Sequence, residues 1–577
     1  MSAPQVLVIG GGLAGLMAAI RVAEKGANVK VFSLCAPKRS HSACAQGGIN
    51  GAINTLGQGD SPKYHFEETI YGGDFLANQT IVKGFTDAAP RLIHMLDRMG
   101  VTFNRTPEGL IDLRRAGGTK FNRVAFAGGT TGQQMLYALD EQTRKLEEQG
   151  RVEVLFPWDF MEAIIDEEGN CRGAVLQDLT TMEVKAFRGD AVIMATGGLG
   201  YLFGKSTNAV INNGSAVSAL YQQGAIYANG EFIQIHPTSI PMDDKNRLMS
   251  ETCRGEGGRV WVYKDGKPWY FLEEWYPNYG NLVPRDIATR EIFKVCVDMK
   301  LGIDGENMVY LDLSHLDPNW LQQRLGGILD MYEIFVGDDP RKVPMKIFPT
   351  VHFTMGGLWV DETQTTKIPG LYAAGECEYQ YHGANRLGGN AMPACMYAGE
   401  LAGNSAMDYI KGLAKSAADL PDKVFDSAQK KNAEVDGNIY KLTGTENPYL
   451  LHREMGEWMT NNATVVRYND RLQNTDNKLL ELMERFKKIG ISDNTNWSNQ
   501  VVPFTRQLWN MLELSRVITI GAIARNESRG AHYKPDFPER DDENWLKTTL
   551  ATYSKDGPKL SYEDVDIQHV KPRPRRY

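Results

Sequence analysis

An α/β chain built on a Rossmann-like dinucleotide-binding domain is predicted by three observations. Near its start, "QVLVIGGGLAGLMAAIRVAEKGANVKVFSL" reads as strand, glycine turn, helix and strand. Two later segments, "DAVIMATGGLG" (190–200) and "IPGLYAAGEC" (368–377), are short apolar runs closed by glycine, as further strands of the same parallel sheet would be. Beyond about residue 415 the apolar residues change to helical spacing. The expected organisation is a discontinuous dinucleotide-binding domain (1–240 and 350–415), an inserted α+β capping domain (241–349), a helical domain (416–525) and a mixed C-terminal domain (526–577).

Taken in order, Val6, Leu7, Val8 and Ile9 form an unbroken apolar run suited to a parallel strand buried on both faces. Gly10, Gly11, Gly12, Leu13, Ala14 and Gly15 spell G-x-G-x-x-G, where missing side chains let a pyrophosphate approach the N-terminus of the following helix. Residues 16–23 continue that helix and Gly26 ends it. The second strand closes at Ser33, where an NAD-binding pattern would place an acid against the adenosine ribose, so FAD is favoured over NAD. In the inserted region, "RVWVYKDGKPWYF" alternates and breaks at Asp265 and Gly266, a hairpin signal. In "NKLLELMERFKKIG" the residues Leu479, Leu482, Met483, Phe486 and Ile489 line one helix face, with Gly490 as the expected stop. "QLWNMLELSRVITIGAIAR" repeats that reading, and a mixed tail follows from "ERDDENWLKTTL" onward.

At 577 residues the chain exceeds what one hydrophobic core usually supports. Hydrophobic residues at 42% and charged residues at 23% match ordinary globular proteins, which argues against disorder. A net charge of −8 gives no general attraction to nucleic acid or anionic lipid; no nucleic-acid partner is expected, and an anionic ligand must be held by local cations. Seven cysteines without a C-x-x-C pair argue against a disulfide framework, a zinc site or cluster ligation, so no metal is expected and a reducing compartment fits best. The longest apolar run, residues 6–20, is too short to span a bilayer and is broken by four glycines; nothing in the chain is expected to insert into a membrane.

Histidine and arginine gather beside glycine in "QIHPT", "SETCRGEGG", "VPRDIATR", "VHFTMGG" and "HGANRLGGN". Glycine-rich loops bring backbone amides close to a ligand, and arginine forks match carboxylates bidentately, so these loops suit a small polyanion beside a flavin. Together with "GGGLAG", "RSHSACAQGGI", "YGGDFLANQ", "ATGG", "RGEGGR", "GECEYQYHGANRLGGN" and "ARNESRGAHY", they make a chain that closely resembles the flavoprotein subunit of succinate dehydrogenase and fumarate reductase, within that group the menaquinone-linked bacterial form. The resemblance runs from residue 6 to about residue 550.

What that resemblance implies is specific. His41, in "RSH", matches the histidine that bonds covalently to the 8α carbon of FAD in this family, an attachment that raises the flavin potential. Other FAD contacts carry over to Gly10 through Gly15, Ser33, the loop bearing Arg39, Ser40, Ser42, Gln46, Gly47 and Gly48, then Asn213, Glu376, Ala391 and Met392. Asn213 stands where relatives have Asp, and Ala391 and Met392 where they have Ser and Leu. The dicarboxylate set is His236, Ser250, Glu251, His352 and Arg386, with Arg386 and His352 gripping one carboxylate and His236 and Ser250 the other. Arg285 matches the proton-transfer arginine, with Glu251 and Arg254 relaying the proton to solvent. Ala116 stands where relatives place Phe, which would loosen packing over the substrate.

The implied partners are an iron-sulfur subunit and a membrane anchor of cytochrome b type, with the chain peripheral on the cytoplasmic face of the bacterial inner membrane. Two alternatives remain beside succinate:quinone oxidoreduction: fumarate reduction as the physiological direction, and an L-aspartate oxidase-like enzyme, against which His41 argues because that flavin is not covalent. A nucleotide-binding module without turnover would have no reason to gather His236, Arg285, His352 and Arg386.

Overall fold

The structure, a computed structural model, describes residues 3–577. Its organising element is a five-stranded parallel sheet, in the order Leu371–Ala373, Ala191–Met194, Gln5–Ile9, Asn28–Phe32 and Val152–Leu155. The apolar run at its centre is buried on both sides. Val6 and Val8 enter a core shared with the helices Leu13–Glu24, Gln79–Arg98, Thr131–Glu148 and Ala391–Lys411. Leu7 and Ile9 point the other way, into a core completed by the helical region. This is why the strand shows no alternation in sequence.

The glycine turn after the first strand is set by close approach. Gly10 has φ of +118°, and a Cβ on Gly15 would lie 1.8 Å from the Gly10 carbonyl oxygen. The turn therefore folds tightly onto the helix N-terminus, whose capping position, Gly12, supplies no side-chain cap.

A second, six-stranded antiparallel sheet follows the order Arg247–Leu248, Ile233–Ile240, Met345–Thr354, Val309–Asp312, Arg259–Lys264 and Lys267–Trp269. It has its own core, which includes the Pro318–Val336 helix. The hairpin expected at Asp265 and Gly266 forms there, and both turn residues have positive φ, 52° and 73°, as a tight two-residue connection requires.

Four long helices follow: Asp422–Ile439, Pro448–Asn462, Asn469–Phe486 and Val501–Ala524. Leu479, Leu482 and Met483 are buried as their spacing implies. The helix ends sooner than its sequence suggests. It stops at Phe486, and Gly490 instead bonds across to Glu446 in an isolated bridge, while Ile489 reaches the same core from outside the helix. The tail adds the strands Lys547–Thr552 and Lys559–Asp564 to a sheet with Tyr227–Ala228 and Gly357–Leu358. Among the described residues no helix is long and apolar enough to cross a membrane.

Candidate active site

At the C-terminal ends of the parallel strands a cleft opens against the antiparallel sheet. Among the residues expected to hold cofactor or substrate, all but Gly15, Arg39 and Arg254 line it. Gly15 lies beneath the turn, and Arg254 stands behind Glu251. Arg39 sits on the short Pro37–Arg39 turn and is exposed.

The nucleotide end fits a flavin dinucleotide. A Cβ on Gly11 would come within 3.1 Å of Ser33 Oγ, and one on Gly12 within 3.3 Å of Ser42 Oγ, so the turn leaves space only because side chains are missing. Ser42 Oγ accepts from the Leu13 N–H at 3.4 Å. Ser40 Oγ, Gln46 Oε1, Thr196 Oγ1 and Asn212 Nδ2 line the cleft buried and without partners, which is the signature of a polar ligand's contacts. Asn213 caps the Ser215–Gln222 helix through its side-chain oxygen, 2.9 Å from the Ser215 N–H, which leaves its amide NH₂ unengaged by that cap. Burial pushes the Glu376 carboxyl up to about 7, although the Thr354 N–H donates to it at 2.9 Å and Arg386 is near.

His41 follows this turn. Its Nδ1 accepts from the Ala209 N–H at 3.3 Å, and Asn208 Nδ2 lies 3.4 Å from Nε2. Desolvation, with the Lys245 cation second, lowers the imidazole to about 4, so at neutral pH the ring is uncharged.

The other end of the cleft collects cations from four separate segments. His236 lies on Ile233–Ile240 and His352 on the paired strand Met345–Thr354, where a bulge in register brings their rings to 4.8 Å, edge to face. Thr207 Oγ1 lies 2.7 Å from His352 Nδ1, and His236 Nδ1 lies 3.0 Å from the Thr238 carbonyl oxygen and 3.2 Å from the Thr238 N–H, so both rings are anchored through Nδ1 with Nε2 left to the cleft. Burial, helped for His236 by Arg285 and for His352 by His236 itself, holds both well below the usual histidine range. Both rings are neutral. Ser250 Oγ, 2.9 Å from Thr252 Oγ1, adds a hydroxyl.

Arg285 opens the Arg285–Phe293 helix and reaches Glu251 with Nη2 at 2.8 Å and Nε at 3.3 Å, and Gln234 Oε1 with Nη1 at 3.1 Å. Glu251 continues to Arg254 Nη2 at 3.1 Å, and Arg254 Nη1 donates to the Asn281 carbonyl at 2.7 Å. Burial alone would raise the Glu251 carboxyl, but Arg285 and Arg254 outweigh it and hold the group below its ordinary range. Its position is fixed by absent side chains: a Cβ on Gly388 would lie 2.1 Å from Glu251 Oε2, and one on Gly117 2.6 Å from Oε1. Ala116, 7% exposed, walls the cleft beside them.

Arg386 differs from the other arginines. Its guanidinium stands 4.3 Å over the Phe353 ring, Nε is buried without a partner, and it has no salt bridge among the described residues. Desolvation, with Arg285 repelling it, lowers it to about 9. A buried cation with free N–H groups calls for an anion.

Several residues at this site went unremarked in the sequence as functional. Thr207 orients the His352 ring through Nδ1, and Gln234 holds Arg285 while donating to the Arg386 carbonyl at 2.7 Å. Gln234 lies two residues before His236 on one strand, a signal that was available; Thr207 carries none.

Comparison with known proteins agrees along the whole chain. Residues 5–392 match the FAD binding domain family, and residues 452–577 match the fumarate reductase flavoprotein C-terminal family. The succinate dehydrogenase flavoprotein subunit of Bacillus subtilis (strain 168) is 64% identical over 579 residues, covering 100% of this chain and 99% of that one. The fumarate reductase flavoprotein subunit of Escherichia coli (strain K12) is 34% identical, covering 99% of this chain and 95% of that one. A solved structure of an E. coli quinol fumarate reductase FrdA variant superimposes with a TM-score of 0.92 at 32% identity, covering 100% of this chain and 99% of that one.

Proposed function

The chain belongs to the succinate dehydrogenase and fumarate reductase flavoprotein family, and from that premise we propose how its own residues interconvert the two dicarboxylates. The observation that carries the reading is the ion-paired series Arg285–Glu251–Arg254 beside a buried, unpaired Arg386 and two neutral histidines.

Arg386 and His352 take one carboxylate of the substrate, and His236 with the Ser250 hydroxyl takes the other. Gripping both ends fixes the two central carbons relative to the cleft. When bound, FAD supplies the acceptor for the hydride that leaves one methylene carbon of succinate. The adjacent carbon then loses a proton to Arg285, and the carbon–carbon double bond of fumarate forms between them. Glu251, 2.8 Å from Arg285 Nη2, takes the proton onward, and Arg254 compensates its charge. In the reverse direction the same series delivers a proton to carbon. Arginine is ordinarily a poor base, and the proton is shared with a carboxylate in direct contact rather than held by a free guanidine.

His41, neutral and with Nε2 unbonded to backbone, is the residue proposed to carry FAD covalently at the 8α position. The electrons then pass to an iron-sulfur subunit and through a membrane anchor to quinone, with this chain held peripherally on the cytoplasmic face. Seven free cysteines, four of them buried and mutually unpaired, leave cluster ligation to another chain.

Mixing the purified holoprotein with succinate under anaerobic conditions is expected to bleach the flavin absorbance, and fumarate to restore it. Bleaching by L-aspartate in place of succinate would move the chain to the amino-acid oxidase reading.

A further inference from the structure

The sequence ends in "KPRPRRY", a stretch that the function as derived does not use. It is not a loose tail. Gln79 holds its approach, donating to the Val570 carbonyl at 2.7 Å and accepting from the Val570 N–H at 2.9 Å. Arg576 N–H donates to the Tyr71 hydroxyl, and the Tyr577 ring packs between Tyr71 at 5.5 Å and Tyr279 at 5.3 Å. Tyr71 belongs to the Pro62–Gly72 helix beside the flavin domain, whereas Tyr279 belongs to the inserted region. The segment thus joins that helix to the inserted region.

Arg575 stands at the centre of this join. Its guanidinium meets Asp286 bidentately, Nη1 to Oδ2 at 2.8 Å and Nη2 to Oδ1 at 3.2 Å, and Nη1 also reaches Asp74 Oδ2 at 3.3 Å. Asp286 is the residue after Arg285, in the first turn of the same helix. A second route reaches the same arginine through side chains alone. Asn385 donates to Asp286 Oδ1 at 3.1 Å and accepts from Gln234 Nε2 at 2.9 Å, and Gln234 Oε1 accepts from Arg285 Nη1 at 3.1 Å. Arg575 therefore bears on Arg285 by two connected paths.

The anchor at the other end is rigid. Asp74 and Phe75 both have positive φ, 53° and 66°, a pair of left-handed residues that persists only where the surroundings over-determine it. Here Asp74 also accepts from the Gly530 N–H at 2.9 Å and from Arg540 Nη1 at 2.8 Å, and its carbonyl accepts from Arg529 at 3.0 Å. A salt bridge this buried gives little net stability by itself, and its value lies in fixing one geometry.

We propose that Arg575 is a positioning residue for the proton-transfer step: the segment around it straps the helix bearing Arg285 to the strained turn at Asp74, and so holds Arg285 against the substrate carbon. The proposal rests on the reading of Arg285 as the proton-transfer group. Displacing a reacting group by about 1 Å costs roughly 100-fold, and partial release of the strap is expected to cost about 10- to 100-fold in kcat.

The test uses the intact complex, or the flavinylated chain with a soluble dye, and compares Arg575→Gln, Arg575→Lys, Asp286→Asn and the Arg575→Gln/Asp286→Asn double variant. Arg575→Gln is expected to lower kcat by that factor with KM changed less than about threefold, to retain flavin, and to show a larger solvent deuterium effect on kcat than the parent. Arg575→Lys is expected to recover part of the loss. The double variant is expected to be no worse than the weaker single one, because both cut the same path. A kcat for Arg575→Gln within twofold of the parent would overturn the proposal, as would fully multiplied losses in the double variant, or a fall in thermal stability with unaltered kcat and isotope effect. If Arg575→Gln does not accumulate, the kcat and isotope effect of Asp286→Asn decide by the same criteria. Arg285→Ala run alongside separates the two failures: if it also turns over normally the proton-transfer reading falls, and if it alone is dead only the strap falls.

Discussion

Arg386 is a cation built to be completed. Every other arginine in the site has a carboxylate or carbonyl in reach, while this one has an aromatic face and an unpartnered Nε. His41 is the neutral counterpart, an imidazole whose charge is removed by burial. His41→Ser is expected to abolish flavin fluorescence in the denatured protein on a gel while leaving FAD bound noncovalently in the native state; succinate oxidation should fall more than fumarate reduction, since the noncovalent flavin has the lower potential. A dark band from the parent protein would refute the attachment. Residue chemistry alone made the histidines and arginines visible as a cationic set, but it did not assign their roles. Glu251 and Arg285 are 34 residues apart and Gln234 and Arg386 are 152 apart, distances over which spacing carries no information. The resemblance supplied those roles, and it also included Arg39, which is exposed.

Elements place these residues by turns and close approaches. The paired strands Ile233–Ile240 and Met345–Thr354 bring two histidines together through a bulge, and the loops at Gly117 and Gly388 close on Glu251 from both sides. Gly388→Ala, whose methyl would sit 2.1 Å from Glu251 Oε2, is expected to displace the carboxylate and lower turnover by at least about 100-fold while the flavin stays bound. Steady-state kinetics beside the flavin spectrum check it, and near-normal turnover would show that Glu251 tolerates movement. At this scale the sequence was most legible where one residue type has one local use: the glycine turn after the first strand and the Asp265–Gly266 hairpin. It misled at Gly490, because the stop of the Asn469–Phe486 helix is set by the chain turning back towards Glu446, a tertiary contact invisible to periodicity. The path of the tail was equally hidden, since the Lys547–Thr552 strand pairs with Tyr227–Ala228 more than 300 residues earlier.

Across the whole molecule, many histidines are buried neutral. His65 is lowered to about 3 by burial, with Arg123 second, and His382 and His532 are held well below their usual range, again chiefly by burial. Between those values and 6.5 the unfolded chain binds more protons than the native one, so stability rises with pH in that window and is lost as pH falls below about 6.5. Glu376, raised to about 7, acts in the opposite sense between about 4.5 and 7, as do Glu378, Glu68, Glu513 and Asp159, which burial also raises, against seven lowered histidines. The melting temperature is therefore expected to be lower at pH 5 than at pH 7, and a flat profile by scanning calorimetry would mean that water reaches these rings. The same burial that costs acid stability gives the cleft its character, with neutral imidazoles, an unpaired cation and an arginine ion-paired to a carboxylate. The central claim is that Arg285 moves the proton while Arg386 and the histidines bind, and these tasks separate under mutation. The direct measurement is steady-state turnover of Arg285→Ala beside titration of its flavin spectrum with a dicarboxylate inhibitor such as malonate. Retained flavin and inhibitor binding with a turnover loss of about 100- to 10,000-fold in both directions is the expected result; turnover within tenfold of the parent would show that another group moves the proton.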